Sequence, residues 1–231
     1  MRNMQPNPPF FGASPVIRMS AKTLLKDLDK DVLFRAHWKT GKNAEQLLQH
    51  LLQDPRVLDS MQPLAVYGYF PVVPEAGGLR VAGKIVWEFP LLKGKRFSDH
   101  YKDSSEGCGI LALSAVTIGE EVLSLSREYY QRQDYAEYFL LYGLAAELTE
   151  TLAECVNRKI HRELGIKRSL RRSFGYPACP DLSYQRSLLD LLQAERIHLR
   201  LSDANQLIPE FSTTALILPE ADPQHEEEKD E

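Results

Sequence analysis

The sequence predicts an α+β fold, a single domain in which a mainly antiparallel, twisted sheet is flanked by helices. Two observations predict it. Segments of strand character and segments of helical periodicity occur in blocks, which disfavours the strict alternation of a doubly wound parallel sheet. The run Ile110-Leu111-Ala112-Leu113-Ser114-Ala115-Val116-Thr117 is apolar at successive positions, as a central strand covered on both faces must be. The length of 231 residues and the 43% hydrophobic fraction suit one large domain with a buried core. The chain divides into an N-terminal arm over residues 1–20, a folded domain over 21–219 and an acidic, disordered tail over 220–231.

The elements follow in order. The proline-rich stretch Met1 to Ser20 reads as an irregular arm laid across the domain through Phe10 and Phe11. Ser20 caps a helix whose apolar residues Leu24, Leu25, Leu28, Val32 and Leu33 recur at helical spacing. A second helix runs from Asn43 to about Gln53 with Leu47, Leu48, Leu51 and Leu52 inward. Leu64 to Phe70 is a strand rich in β-formers, and Pro71 stops it. Leu79–Gly83 and Lys84–Phe89 form either two hairpin arms or one bulged strand. Ile110–Thr117 is the central strand, followed by a helix over Glu120–Gln131. A long helix then runs from Asp134 to about Leu164, where Gly165 ends it. Its apolar residues hold no strict heptad, so it is a buried spine and not a coiled coil. A further helix over Ser183–Leu192 and strands at Leu199–Leu201 and Thr213–Leu218 complete the domain, with Pro219 closing the last.

Bulk properties exclude several function classes. The formal charge is −4, and much of the acidity lies in the tail, so no basic face for nucleic acid is implied. No apolar run approaches the roughly 20 residues that cross a bilayer, and no secretory signal opens the chain, which leads us to expect a cytoplasmic protein with no membrane partner. The three cysteines show no CxxC pair, and the six histidines show no HxxxH or HExxH spacing. Neither a disulfide scaffold nor a metal site is expected.

The segment Arg171-Arg172-Ser173-Phe174-Gly175-Tyr176-Pro177-Ala178-Cys179-Pro180-Asp181 has too few aliphatic residues for a core element, and its glycine and prolines impose irregular backbone. Backbone N–H and C=O groups outside any ladder need partners. A ligand bearing an adenine, a ribose and an amino-acid group can supply them. The plain alternative is a packed surface turn with Tyr176 tucked into the core.

Arg171-x-x-x-Gly175-Tyr176-Pro177-Ala178-Cys179-Pro180-Asp181 resembles the RxxxGYPACPD motif of the activation domain of vitamin B12-dependent methionine synthase. Other stretches resemble that family in the same order. Asn7-Pro8-Pro9-Phe10-Phe11-Gly12 is similar to its PPFxG arm, and Leu33-Phe34-Arg35-Ala36-His37-Trp38 to its LFRxxW helix end. Ala115–Glu121 is similar to its AVTxGxxxE turn and Leu144–Glu154 to its acidic helix, so the likeness spans residues 7 to 218. It implies a stand-alone relative that binds S-adenosylmethionine and supports reductive methylation of cob(II)alamin. It also implies cobalamin carried by a partner protein, a corrinoid-binding methionine synthase or methyltransferase, and a flavodoxin-type electron donor.

Carried over by position, the resemblance places Arg171 at the ligand carboxylate and Gly175, Tyr176 and Ala178 against the nucleoside. Asp29 and Glu150 fall where the family has its ligand-binding carboxylates. No side chain is implied as a catalytic acid or base. The chain departs from the family pattern at Arg172-Ser173-Phe174, after Asp181, and at the C-terminal end, where a polar tail replaces segments carrying a ligand-contacting tyrosine. The alternative reading is a non-catalytic partner-binding subunit of a corrinoid methyltransferase system that has lost the ligand.

Overall fold

The computed structural model of the chain describes residues 7–91, 94, 96–101 and 109–219. The acidic tail and the first six residues of the arm lie outside the described residues. Strands and helices are numbered in chain order. Strand β3 (Leu64–Glu75) and β6 (Gly109–Thr117) form the antiparallel centre of the sheet, with Leu64 opposite Thr117 and Val72 opposite Gly109. The order across the sheet is β5-β4-β3-β6-β10-β7, with β4 (Gly78–Val81), β5 (Ile85–Glu88), β7 (Ser169–Arg172) and β10 (Ser212–Pro219). Every pairing is antiparallel. The arm contributes β1 (Gly12–Ala13) and β2 (Ile17–Arg18), both on the outer edge of β3. The arm is therefore part of the sheet. Its two phenylalanines divide: Phe10 packs edge-on against Tyr67 and Tyr69, while Phe11 is exposed.

Strand β3 does not stop at Pro71, and the direction of the backbone groups explains why. The carbonyl of Pro71 accepts from Ala82 N at 2.9 Å, so the imino nitrogen faces the β4 side, away from β6. The missing N–H therefore removes no bond from the β3–β6 ladder. Pro74 lies beyond Val72, the last residue of β3 that β6 reaches. Residues Leu79–Phe89 form a hairpin, with Ala82 and Gly83 both at positive φ in its turn, as tight hairpin turns require.

Both sheet faces are covered, which is why β6 is buried along almost its whole length and apolar at most positions. One face, including Ala65, Ala112, Val116 and Ile217, packs under α6 (Tyr135–Leu164) through Leu141, Leu144, Leu148 and Leu152. The helices α1 (Ala21–Leu24), α2 (Lys30–Val32), α3 (Ala44–Leu51), α4 (Arg56–Asp59) and α5 (Glu121–Gln131) complete this layer. The other face packs under α7 (Tyr184–Leu192) through Leu188, Leu189 and Leu192. Full burial of such side chains stabilises the fold by about 1.5–3 kcal/mol each. Gly165 ends α6 in the left-handed conformation at φ 65°.

The helix expected after Ser20 is broken. α1 ends at Leu24, and a new start forms where the Asp29 carboxylate accepts the Val32 N–H at 3.0 Å. A capping aspartate competes with continuation of the helix through its own position. The chain then winds through a wide π-helical turn, Leu33–His37. The late strand near Leu199 is β8 (Arg200–Leu201), which pairs outside the main sheet with β9 (Leu207–Ile208).

Candidate functional site

The site is built where the wide turn after α2 meets the middle of α6. Gly143 permits that approach: a Cβ there would sit 2.7 Å from the Trp38 ring and 3.2 Å from His37 Cβ. Trp38 is buried and its Nε1 donates to the Leu140 carbonyl at 3.1 Å. One helical turn beyond Gly143, Glu147 lies with an oxygen 3.2 Å from His37 Nε2. Glu147 is only 5% exposed. Burial pushes its carboxyl up to about 7, and the negative charges of Asp29 and Glu150 add to the effect. The His37 ring stands within ion-pairing distance, yet loss of hydration dominates.

Glu150 follows on the same helix, is exposed, and takes the Arg171 guanidinium at 3.1 Å. Arg171 reaches it because side chains alternate along β7. Leu170 packs into the α7-side core, whereas Ser169 and Arg171 face α6, where Ser169 Oγ meets His161 Nε2 at 2.6 Å. Arg171 is therefore not in the irregular segment; it lies on a strand, opposite Ile217.

The irregular backbone begins at Ser173. Phe174 is buried against Trp87 and Tyr184, with ring centroids 5.4 Å and 5.9 Å apart. Gly175 turns the chain at φ 90°, a conformation that disfavours a side chain. The turn closes on itself, with Gly175 N donating to Cys179 O and Cys179 N to Tyr176 O, both at 2.8 Å. Those backbone groups accordingly need no outside partner, contrary to the sequence expectation. Cys179 is buried, and burial raises its thiol to about 12, which makes it a packing residue and not a nucleophile. Tyr176 is 65% exposed and is not tucked into the core. Phe174 is the anchor instead.

Of the six candidate residues, the fold gathers Asp29, Glu150 and Arg171 around one stretch of α6. Gly175 and Tyr176 lie exposed on the turn just after β7, and Ala178 is half-buried against the α7-side core. The fold adds Glu147 and His37, which sequence reading did not single out as ligand-facing. Their signal was the spacing of Gly143, Glu147 and Glu150 on one helix. Chemically the patch offers one guanidinium for a carboxylate, three acidic groups for a cation, and an exposed aromatic ring with a hydroxyl. Among the described residues no group of three or more His, Cys, Asp or Glu is placed to hold a metal ion, and no helix is long and apolar enough to cross a membrane.

Comparison with known proteins points in one direction. A family model described as "Vitamin B12 dependent methionine synthase, activation domain" matches residues 93–226. The methionine synthase of Mycobacterium leprae is 29% identical over an alignment that takes in 92% of this chain and 22% of that protein. That of Mycobacterium tuberculosis is 28% identical, taking in 94% of this chain and 23% of its own length. The chain thus spans less than a quarter of the curated relatives it matches. A crystal structure described as the MetH reactivation domain bound to AdoHcy superposes with a TM-score of 0.81 at 17% identity, covering 94% of this chain and 82% of the other.

Proposed function

The chain belongs to the family of vitamin B12-dependent methionine synthase activation domains, and from that membership we propose that it binds S-adenosylmethionine between α6, β7 and the turn at Gly175–Cys179. The observation that carries this reading is the meeting of Arg171, the first residue of the RxxxGYPACPD motif, with Glu150 on α6. A zwitterionic amino-acid group with an adjacent sulfonium needs an anion binder and a cation binder side by side. Arg171 serves the carboxylate, and Glu150, Glu147 and Asp29 supply negative potential for the ammonium and sulfonium. Tyr176 offers its face to the adenine, and the positive-φ turn at Gly175 lets the backbone come close to the nucleoside.

The role of the bound molecule is to supply its S-methyl group to a reduced corrinoid held by a methionine synthase or related methyltransferase, with the electron from a flavodoxin-type donor. This chain's share is positioning: it fixes the amino-acid and adenosyl ends and leaves the methyl group accessible to a docked partner.

A second reading, that the chain is a partner-binding subunit without the ligand, draws on two features. The turn satisfies its own backbone groups, and Arg171 is already neutralised by Glu150. Titration calorimetry with S-adenosylmethionine and with S-adenosylhomocysteine separates the two. Saturable heat that is lost in Arg171→Ala supports the first reading; no heat from either compound leaves the second.

A further inference from the structure

Three acids gather near one guanidinium at the middle of α6, and they are not equivalent. Glu150 is exposed and paired with Arg171 at 3.1 Å. Asp29 is exposed and accepts the Val32 N–H at 3.0 Å. Glu147 is 5% exposed and, among the described residues, pairs with no guanidinium or ammonium; it has the His37 ring at 3.2 Å. The charged and titratable groups that face it are His37 from the wide turn, Asp29 from the start of α2 and Glu150 from its own helix. Arg171 of β7 stands behind Glu150. Residues three apart on a helix stand about 5–6 Å apart at Cβ, so a cation resting on Glu150 falls within range of Glu147. Burial and the two neighbouring acids hold the Glu147 carboxyl at about 7 in the ligand-free protein. A buried charge is screened least, so of the three acids Glu147 responds most to a charge added beside it.

S-adenosylmethionine and the molecule left after methyl transfer differ in a respect that this arrangement detects. The methyl donor carries a sulfonium cation. When its S–CH3 bond breaks, the methyl group passes to the corrinoid acceptor and the bonding electron pair stays on sulfur. The product, S-adenosylhomocysteine, is a neutral thioether. Its amino-acid group, ribose and adenine are those of the donor, so Arg171, Tyr176 and the turn at Gly175 offer the two molecules the same contacts.

Resting on the proposed binding of S-adenosylmethionine, we propose that Glu147 reads the charge on the ligand's sulfur. It gives its proton to solvent when the sulfonium compound binds and takes one back from solvent when the neutral thioether remains. The site therefore holds the methyl donor more tightly than the spent product. Glu147 acts through its charge and sets specificity; it touches no reacting atom.

Titration calorimetry on the full chain tests it, with S-adenosylmethionine and S-adenosylhomocysteine each titrated in two buffers of different ionisation heat to count protons. At about pH 6 the sulfonium compound should displace on the order of one proton per site, and the thioether less than half as many. From about pH 7 down to about pH 5.5 the affinity for S-adenosylmethionine should fall roughly tenfold, and that for S-adenosylhomocysteine by less than about threefold. Glu147→Gln should abolish the difference in proton count and narrow the preference for the sulfonium several-fold, whereas His37→Gln should keep both. The proton count on the wild type decides the matter even where a variant folds poorly. Equal proton counts and parallel pH profiles for the two compounds would overturn the proposal and leave the binding reading standing. A pH step kept in Glu147→Gln and lost in His37→Gln would assign the response to the imidazole and overturn it too. No heat from either compound would remove the binding reading, and this proposal with it.

Discussion

The guanidinium of Arg171 stands 3.1 Å from the carboxylate of Glu150, joining the edge strand β7 to the middle of α6. Glu150 is largely solvent-exposed, so the pair contributes about 1 kcal/mol or less to stability. Under the proposed function its weight falls on binding. Arg171→Ala should leave the melting temperature within a few degrees of wild type and weaken S-adenosylmethionine by roughly ten- to a hundredfold, the cost of about 1.5–3 kcal/mol for one charge-assisted bond. Arg171→Lys should recover only part of the loss, because an ammonium cannot fork onto a carboxylate. Calorimetry beside a thermal melt checks both; a large drop in stability with unchanged affinity would make the pair a structural tie alone.

Glu147 gives a pH dependence with a definite sign. Burial raises its carboxyl from 4.5 to about 7, so the folded protein holds a proton that the unfolded chain releases above its ordinary value. The stabilisation from that proton is full below about 4.5 and disappears as pH rises through 7, a change on the order of 1–3 kcal/mol. Binding of a cationic ligand should run the opposite way, strengthening as Glu147 ionises. Glu147→Gln should raise stability at pH 8, flatten the stability profile between pH 5 and 7, and remove the pH step in affinity. Urea unfolding and titration calorimetry across that range read the two effects separately.

Gly143 sets a test in which two terms of opposite sign compete. Replacing a mid-helix glycine by alanine ordinarily stabilises by up to about 1 kcal/mol. Here the new Cβ would press on the Trp38 ring at 2.7 Å, and that ring is buried and hydrogen-bonded to Leu140. Overpacking of this kind costs about 1–3 kcal/mol. Gly143→Ala should therefore be destabilising on balance, and should move His37 away from Glu147. A fall in chemical denaturation midpoint with altered Trp38 fluorescence is the expected outcome; a stabilised variant would show that the turn relaxes freely.

Much of this was legible in the sequence, and the parts that were not share a cause. Gly165 as the end of α6, the two-faced burial of Ile110–Thr117 and the antiparallel sheet follow from local chemistry and periodicity. Pro71 misled because a proline's effect on a strand depends on which neighbour its nitrogen faces, a tertiary property. The break after Leu24 was hidden because Asp29 reads equally as a surface charge on a continuing helix. In the site, the motif located Arg171 and the turn, but the register of β7 that turns Arg171 onto α6 is set by β10, some 45 residues later. Glu147 escaped notice because its place one turn after Gly143 signals burial only once the Trp38 turn is known to pack on Gly143.

Tyr176 and Phe174, two residues apart, should separate function from stability. Phe174 is buried between Trp87 and Tyr184, so Phe174→Ala should cost about 3–5 kcal/mol and release the turn with it. Tyr176 is 65% exposed, so Tyr176→Ala should change stability by no more than about 0.5 kcal/mol. If its ring carries the adenine, the same substitution should cost about 1–3 kcal/mol of affinity, the range for stacking of a base on an aromatic side chain. Tyr176→Phe should retain most of it, because the face is kept and only the hydroxyl is lost. Measured affinities ranked wild type, then Phe, then Ala, at constant melting temperature, would assign the ring to the ligand. Equal affinity in all three would leave Tyr176 without a role in holding the nucleoside, and would shift that role to the backbone around Gly175.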